Sequence, residues 1–294
     1  MPQSWVSVGL VQFAMGDDRT ANVERAVKGV REAAERGAEI VCLPELFASK
    51  YFCQVHDHTC FDWAEPLDGP TVKAVAQIAK ERSITVLASI FERRTAGIYH
   101  NTLVTLGPAG DVLGVYRKTH IPDDPQFQEK FYFAPGDLGF VSVPTPKARV
   151  GMLVCWDQWY PEAARLTALQ GAQILFYPTA IGWLPEEKAQ YGAEQLSAWQ
   201  TIQRSHAIAN GLFVVAVNRS GVERSTAGEI EFWGHSFVTA PSGAVLGECD
   251  AGEHVLVTRC DLNQIEETRR VWPFFRDRRI DIYGGLVQRW GKEQ

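Results

Sequence analysis

Cysteine carries the most reactive side chain in this sequence, and one of the six stands where reactivity is supported. Gly151-Met152-Leu153-Val154-Cys155-Trp156-Asp157-Gln158-Trp159-Tyr160-Pro161-Glu162 reads as an apolar strand ending on Cys155, a tight turn, and a helix whose first turn suits Pro161. A thiol near a helix entrance meets unpaired N–H groups and a positive potential, which favour the thiolate. The same turn offers N–H donors to an oxyanion. A buried structural cysteine is the competing reading. A nucleophilic thiol also needs a base, and a cation or N–H donors for the charge that develops on the attacked oxygen. None of the seven histidines sits in a supporting motif, but two other charges do. Glu45, in Leu43-Pro44-Glu45-Leu46-Phe47, follows a buried apolar run. Lys118, in Val115-Tyr116-Arg117-Lys118-Thr119-His120-Ile121-Pro122, stands where a strand enters a proline-bearing loop. Each alone reads as readily as a solvated strand-end charge. Together they supply the base and the cation that a nucleophilic thiol would need.

Other clusters have plainer readings. His56-Asp57-His58-Thr59-Cys60 has metal-ligand residue types, but no second cluster supplies the remaining ligands, so it reads as a polar loop. His206, inside a helical stretch, reads as a hydrogen-bonded structural histidine. Arg276-Asp277-Arg278-Arg279-Ile280-Asp281 interleaves both signs, which suggests ion pairs rather than a nucleic-acid surface. With no Gly-x-Gly-x-x-Gly fingerprint and no Walker loop, the sequence calls for no nucleotide cofactor and no metal.

The elements that must position these residues follow from hydrophobic spacing. Ser7 to Phe13 is a strand-like run. Asn22 to Arg36 repeats apolar residues every three or four positions, Gly37 stops it, and Glu39 to Leu43 starts a second strand. Strand, helix, strand reads as a right-handed crossover. Helix Thr71 to Arg82, strand Thr85 to Glu92 and a hairpin of Asn101 to Leu106 with Val112 to Arg117 follow. A second crossover uses strand Val150 to Val154, helix Pro161 to Gln170 and strand Gln173 to Tyr177. A long helix, Gln190 to Asn210, precedes strands Leu212 to Val217, Ser236 to Thr239, Ala244 to Glu248 and His254 to Cys260. Crossovers mixed with hairpins imply two sheets covered by helices. No low-complexity linker divides residues 1–294, so they read as a single domain.

Composition narrows the class. The 294 residues are 46% hydrophobic and 22% charged, with a net charge of -6, which suits a globular protein without a basic nucleic-acid footprint. No stretch approaches the roughly 20 apolar residues that span a bilayer. Met1-Pro2-Gln3-Ser4-Trp5 lacks the basic and apolar regions of a secretion signal, and the cysteines have no C-x-x-C spacing. Free thiols and a cytoplasmic setting are expected.

Six segments in order carry a family resemblance. Beside Pro44-Glu45-Leu46, they are Tyr51-Phe52-Cys53-Gln54, Arg117-Lys118-Thr119-His120-Ile121-Pro122-Asp123 and Gln128-Glu129-Lys130-Phe131-Tyr132-Phe133. The others are Cys155-Trp156-Asp157-Gln158-Trp159, Phe176-Tyr177-Pro178-Thr179-Ala180-Ile181-Gly182 and Phe275-Arg276-Asp277-Arg278-Arg279. From Val8 to Tyr283 the chain resembles the nitrilase (carbon–nitrogen hydrolase) superfamily, in particular its branch acting on N-carbamoylputrescine. The resemblance implies a four-layer αββα sandwich of two mixed β-sheets flanked by helices. It implies a homodimer or higher homo-oligomer, with a C-terminal tail (about 262–294) at the subunit interface. It makes Cys155 the nucleophile, Glu45 the general base, Lys118 the oxyanion cation and Glu129 an additional glutamate orienting substrate and lysine, with the Trp156 N–H completing the oxyanion hole. The implied substrate is a small ureido or amide compound, with no cofactor, nucleic acid or membrane partner. Trp156, Asp157, Trp159, Tyr132, Thr179 and Trp183 are the expected pocket residues. Plant members carry a glutamate in a Gly-Ser-Glu-Pro segment where this chain has Gly182-Trp183-Leu184-Pro185, so Glu186 and Glu187 are expected to substitute for it. The alternatives are a hydrolase of the β-ureidopropionase or ω-amidase type, or a catalytically silent binding protein on the same fold.

Overall fold

The computed structural model of the protein describes residues 5–291. Met1 to Ser4, read above for a secretion signal, and Lys292 to Gln294 of the expected tail lie outside the described residues. The chain runs β1 (Trp5–Gln12), α1 (Arg19–Glu35), β2 (Ile40–Cys42), α2 (Pro70–Arg82), β3 (Thr85–Thr95), β4 (Ile98–Leu106) and β5 (Val112–Arg117). It continues β6 (Val141–Pro144), β7 (Arg149–Met152), α3 (Pro161–Leu169), β8 (Ile174–Pro178), β9 (Gly182–Trp183), α4 (Pro185–Asn210) and β10 (Phe213–Val217). Last come β11 (Ser220–Ser225), β12 (Gly228–Trp233), β13 (Phe237–Thr239), β14 (Val245–Glu248), β15 (His254–Asp261) and α5 (Asn263–Val271).

One six-stranded sheet has the order β15-β1-β2-β3-β4-β5 and a second has β14-β13-β10-β8-β7-β6, with a small β11-β12-β9 sheet beside them. In each large sheet the central pairs are parallel and the outer pairs antiparallel. Alternation along the strands assigns the faces. Val6, Val8, Leu10, Ile40, Cys42, Leu87, Leu103 and Tyr116 meet Val150, Met152, Ile174, Phe176 and Val215 in one core between the sheets. Val11, Val41, Val86, Ala88 and Val104 point the other way, onto Ala26, Val30 and Ala33 of α1 and Val72, Val75 and Ile78 of α2. Helices α3 and α4 cover the second sheet through Ala163, Ala164, Ala168 and Ala207. The four αββα layers are those expected.

Helix α1 begins where the Asp18 carboxylate accepts from the N–H groups of Thr20 and Ala21, and ends before Gly37 at φ +92°. It lies so close to its sheet that a Cβ on Gly29 would overlap Val11. Four strands and one helix depart from the sequence reading: β6, β9, β11, β12 and α5. Helix α4 starts at Pro185, which serves as its first-turn proline, so Glu186 and Glu187 stand in its opening turn.

Candidate active site

Three strand ends and one loop build the site. Strand β7 releases the chain at Leu153, and Cys155 opens a 3-10 turn, Cys155–Trp159, with φ +43°. A left-handed cysteine is costly unless its surroundings hold it. Asp157 does much of the holding. Its carboxylate accepts from the Val154 N–H (3.0 Å), the Tyr116 hydroxyl (2.7 Å) and the His120 N–H (3.0 Å), and its Oδ1 is 2.7 Å from His120 Nδ1. Asp157 is therefore a brace between the cysteine turn and the lysine loop, not the pocket residue expected.

Lys118 has the parity of Tyr116 at the end of β5, so it enters the space between the sheets. Its Nζ donates to Glu45 Oε1 (2.8 Å) and Glu129 Oε2 (2.7 Å). Glu45 follows β2 and also accepts from Asn101 Nδ2 at 2.6 Å; Glu129, on the turn Glu129–Phe131, accepts from the Tyr51 hydroxyl at 2.7 Å. All three charged side chains are fully buried. Every carboxylate oxygen in the cluster has a partner except Glu45 Oε2. The Cys155 Sγ lies 4.0 Å from the Ala180 carbonyl.

Burial and charge pull on each group of the cluster in opposite directions. Burial, then the charge of Glu45, holds the Cys155 thiol well above the ordinary range, and Lys118 opposes this without prevailing. Desolvation and the Glu45 charge thus oppose the pull toward thiolate expected from the helix entrance. Burial would lower the Lys118 ammonium, but Glu129 and Glu45 outweigh it and keep the group charged. Burial lifts Glu129 to about 7, with Glu45 adding to the rise and Lys118 resisting it.

A cavity of about 410 Å³ opens onto Cys155. Of the expected residues, Trp156, Trp159 and Glu187 line it, joined by Asp124, Phe127, Leu184, Gln195 and Trp233. Glu45, Lys118 and Glu129 are not part of the wall, but their charges act on the Cys155 thiol. Tyr132 is turned away: its hydroxyl accepts from the Asp57 N–H and donates to the Val55 carbonyl, inside an aromatic cluster with Phe52 and Phe91. Thr179 bonds Gln158 and the Tyr177 carbonyl, and Trp183 donates to the Gly192 carbonyl, so neither reaches the cavity. Glu186 is exposed on a separate surface depression with Gln126 and Arg224. Trp159 Nε1, Trp233 Nε1 and Gln195 Oε1 are buried in the wall residues without a protein partner.

Sequence reasoning missed Asn101 and Arg219. Arg219 is wholly buried and donates to the carbonyls of Glu45, Leu46 and Ser49. Neither belongs to a motif with chemical meaning, and their partners lie far away in the chain. Among the described residues no three His, Cys, Asp or Glu side chains gather as metal ligands. His56 of the former candidate cluster stacks on Phe131 at 4.4 Å. All six cysteines are unpaired and buried.

The arrangement, a buried ammonium between two carboxylates with a cavity-facing thiol, suits attack on a carbonyl carbon. The chain is 43% identical over 288 residues to an N-carbamoylputrescine amidase of Arabidopsis thaliana, covering 96% of this chain and 95% of that protein. It is 38% identical to a citrullinase of Francisella tularensis, covering 97% and 99%. The crystal structure of a carbon–nitrogen hydrolase from Helicobacter pylori G27 superposes with a TM-score of 0.95 at 44% identity, covering 98% of this chain and 100% of that one. The carbon–nitrogen hydrolase profile matches residues 7–270, a span that holds all the elements converging on Cys155. The chain belongs to the carbon–nitrogen hydrolase family of the nitrilase superfamily, hydrolases of carbon–nitrogen bonds other than peptide bonds.

Proposed function

We propose that the protein hydrolyses the ureido group of N-carbamoylputrescine through a covalent cysteine intermediate. The carrying observation is the charge of the cavity wall: Asp124 and Glu187 are its acidic members, and among the described residues no lysine, arginine or histidine lines it. In a partly desolvated cavity, carboxylates favour a substrate ending in an ammonium and disfavour one ending in a carboxylate. Trp156 and Trp159 add ring faces suited to a cation. The acidic substrates of a β-ureidopropionase or ω-amidase fit this wall poorly. The name of the Arabidopsis relative supports the same reading, and Glu187 on α4 gives the cavity wall a carboxylate close to Leu184.

In the proposed cycle Glu45 takes the Cys155 proton as sulfur attacks the ureido carbon. Lys118 and the Trp156 N–H hold the oxyanion. Collapse breaks the bond to one nitrogen, which leaves as an amine with the proton from Glu45, and the carbonyl stays on sulfur. Glu45 then takes a proton from water, whose oxygen attacks the same carbon. The carbon–sulfur bond breaks, the proton returns to the Cys155 sulfur, and the carbamic acid released breaks its remaining carbon–nitrogen bond to give carbon dioxide and the second amine. Overall one water and one ureido amine yield putrescine, ammonia and carbon dioxide. Glu129 keeps Lys118 and Glu45 in register. The upward push on the Cys155 thiol is compatible with this scheme, in which proton transfer and attack occur together at Glu45.

Ammonia release from N-carbamoylputrescine, N-carbamoyl-β-alanine and citrulline tests the reading. The diamine derivative is expected to have the highest kcat/KM; preference for either carboxylate-bearing substrate overturns it. We further propose a cytoplasmic homo-oligomer of one continuous domain. Its unpaired thiols suit a reducing compartment, and no described helix is long and apolar enough to cross a membrane.

A further inference from the structure

Arg219 is the largest charged side chain that is wholly buried. A guanidinium has five N–H donors, and all are used here. Nε and Nη2 donate to the Glu45 carbonyl (3.1 and 2.9 Å), Nη2 to that of Leu46 (2.6 Å), and Nη1 to that of Ser49 (3.0 Å) and to Glu223 Oε1 (2.9 Å). The turn these carbonyls belong to is strained, since Leu46 has φ +50°. Its Leu46 N–H rests on Ser89 Oγ and its Leu46 carbonyl also accepts from the Ser49 N–H, but without Arg219 the Glu45 and Ser49 carbonyls would lose their donors.

The other end of the same turn is held by the partner of Arg219. Glu223 Oε2 accepts from the Tyr51 N–H at 2.5 Å, and the guanidinium lies 5.7 Å from the Tyr51 ring. The Tyr51 hydroxyl in turn donates to Glu129 Oε1. One buried ion pair therefore grips both ends of a segment that begins at Glu45 and ends at the ligand of Glu129. A buried pair of this kind is a poor source of stability. Its geometry fits a different task.

We propose that Arg219, together with Glu223, is a positioning residue for the hydrolysis: it fixes Glu45 through the turn carbonyls and Glu129 through Tyr51. The proposal rests on the reading of Glu45 and Glu129 as parts of the catalytic cluster. It makes a directional claim about Glu129, which faces Lys118 from the end of β5, Glu45 after β2, Tyr51 from the gripped segment, Cys53 just beyond it, and Cys155. The Tyr51 hydrogen bond favours the Glu129 carboxylate, so loosening Tyr51 raises its pKa.

The test measures kcat and KM against pH for ammonia release from N-carbamoylputrescine by Arg219→Lys, Glu223→Gln, Tyr51→Phe and the double variant Glu223→Gln/Tyr51→Phe. Lysine lacks the planar fork and has only three donors. Arg219→Lys and Glu223→Gln are each expected to lower kcat about tenfold to a hundredfold, the scale of a small displacement of reacting groups, with KM within about threefold. Both should move the acid limb of the profile to higher pH, as Tyr51→Phe does. In the Tyr51→Phe background, Glu223→Gln should move it no further. If Arg219→Lys does not fold, Glu223→Gln and its double variant decide alone. A limb unmoved in Glu223→Gln, or a shift that adds fully to that of Tyr51→Phe, overturns the proposal. Unchanged activity in Glu45→Gln would instead remove the catalytic reading beneath it.

Discussion

At the scale of single residues, the site keeps more charge than a protein interior normally accepts. One buried ammonium serves two buried carboxylates, so each of the three depends on the others. Burial and the Glu45 charge work against the Cys155 thiolate, and the proposed cycle has Glu45 take its proton as sulfur attacks. Cys155→Ser is therefore expected to keep the fold and lose ammonia release, since an alcohol is harder still to deprotonate; release at the wild-type rate would place the nucleophile elsewhere. Glu129 makes a second prediction. In the folded protein it holds its proton up to about 7, whereas an unfolded chain releases it near the ordinary glutamate value of 4.5. Between those values the folded state binds more protons, so the Glu129 contribution to stability falls as pH rises through the window. Glutamine cannot titrate. The stability of the wild type relative to Glu129→Gln should thus decline across the window, read from denaturant midpoints at each pH. A difference that stays level or grows with pH contradicts this.

At the scale of elements, the loop after β5 does two jobs. It begins with Lys118 and carries Glu129, and it is closed where the Gly136 N–H donates to the Lys118 carbonyl at 2.8 Å. A Cβ on Gly136 would overlap the Arg117 carbonyl, so only glycine allows this closure. Gly136→Ala should cost about 1–3 kcal/mol of stability, as other forced overpacking does. It should also lower kcat by pulling Glu129 off Lys118; calorimetry and steady-state rates check both, and a neutral variant would refute the closure. The same scale explains what could be read in advance. Glu45, Lys118 and Cys155 were legible because each ends an apolar run, and the sandwich because those runs alternate with helical spacing. The β11–β12 hairpin was not, since Glu223, Arg224, Glu229 and Glu231 obscure its apolar pattern and pairing with β9 defines it. Pocket membership was half legible. Near Cys155 the turn sends Trp156 and Trp159 to the cavity and Asp157 behind it, a choice of face that motif adjacency does not encode.

At the scale of the molecule, the two large sheets share one plan. Read from β15 and from β6, each shows the same succession of antiparallel, parallel, parallel, antiparallel and antiparallel pairs. Glu45 and Lys118 come from one sheet and Cys155 from the other, so the site exists only where the sheets face each other. Beyond them the chain ends in a segment of another character. Helix α5 opens the expected tail, burying Ile265, and Phe275 is held between the guanidinium groups of Arg165 and Arg269. Arg276 pairs with Asp277 and Arg279 with Asp281, the ion pairs expected from their interleaving. Around these anchors Val271, Trp272, Ile280, Ile282, Leu286, Val287 and Trp290 stand in water, Val287 92% and Trp290 82% exposed. So many large apolar side chains on one short segment exceed what a monomer ordinarily leaves uncovered. Sedimentation equilibrium at about 10 μM, where a modest hydrophobic interface is populated, should give a multiple of the 32.8 kDa chain mass. Val287→Asp/Trp290→Asp should shift that mass downward and make the thermal midpoint independent of protein concentration, because dissociation removes the mass-action term. A wild-type species of single-chain mass would instead mean that the tail's apolar residues are tolerated in water and that the sandwich needs no second copy.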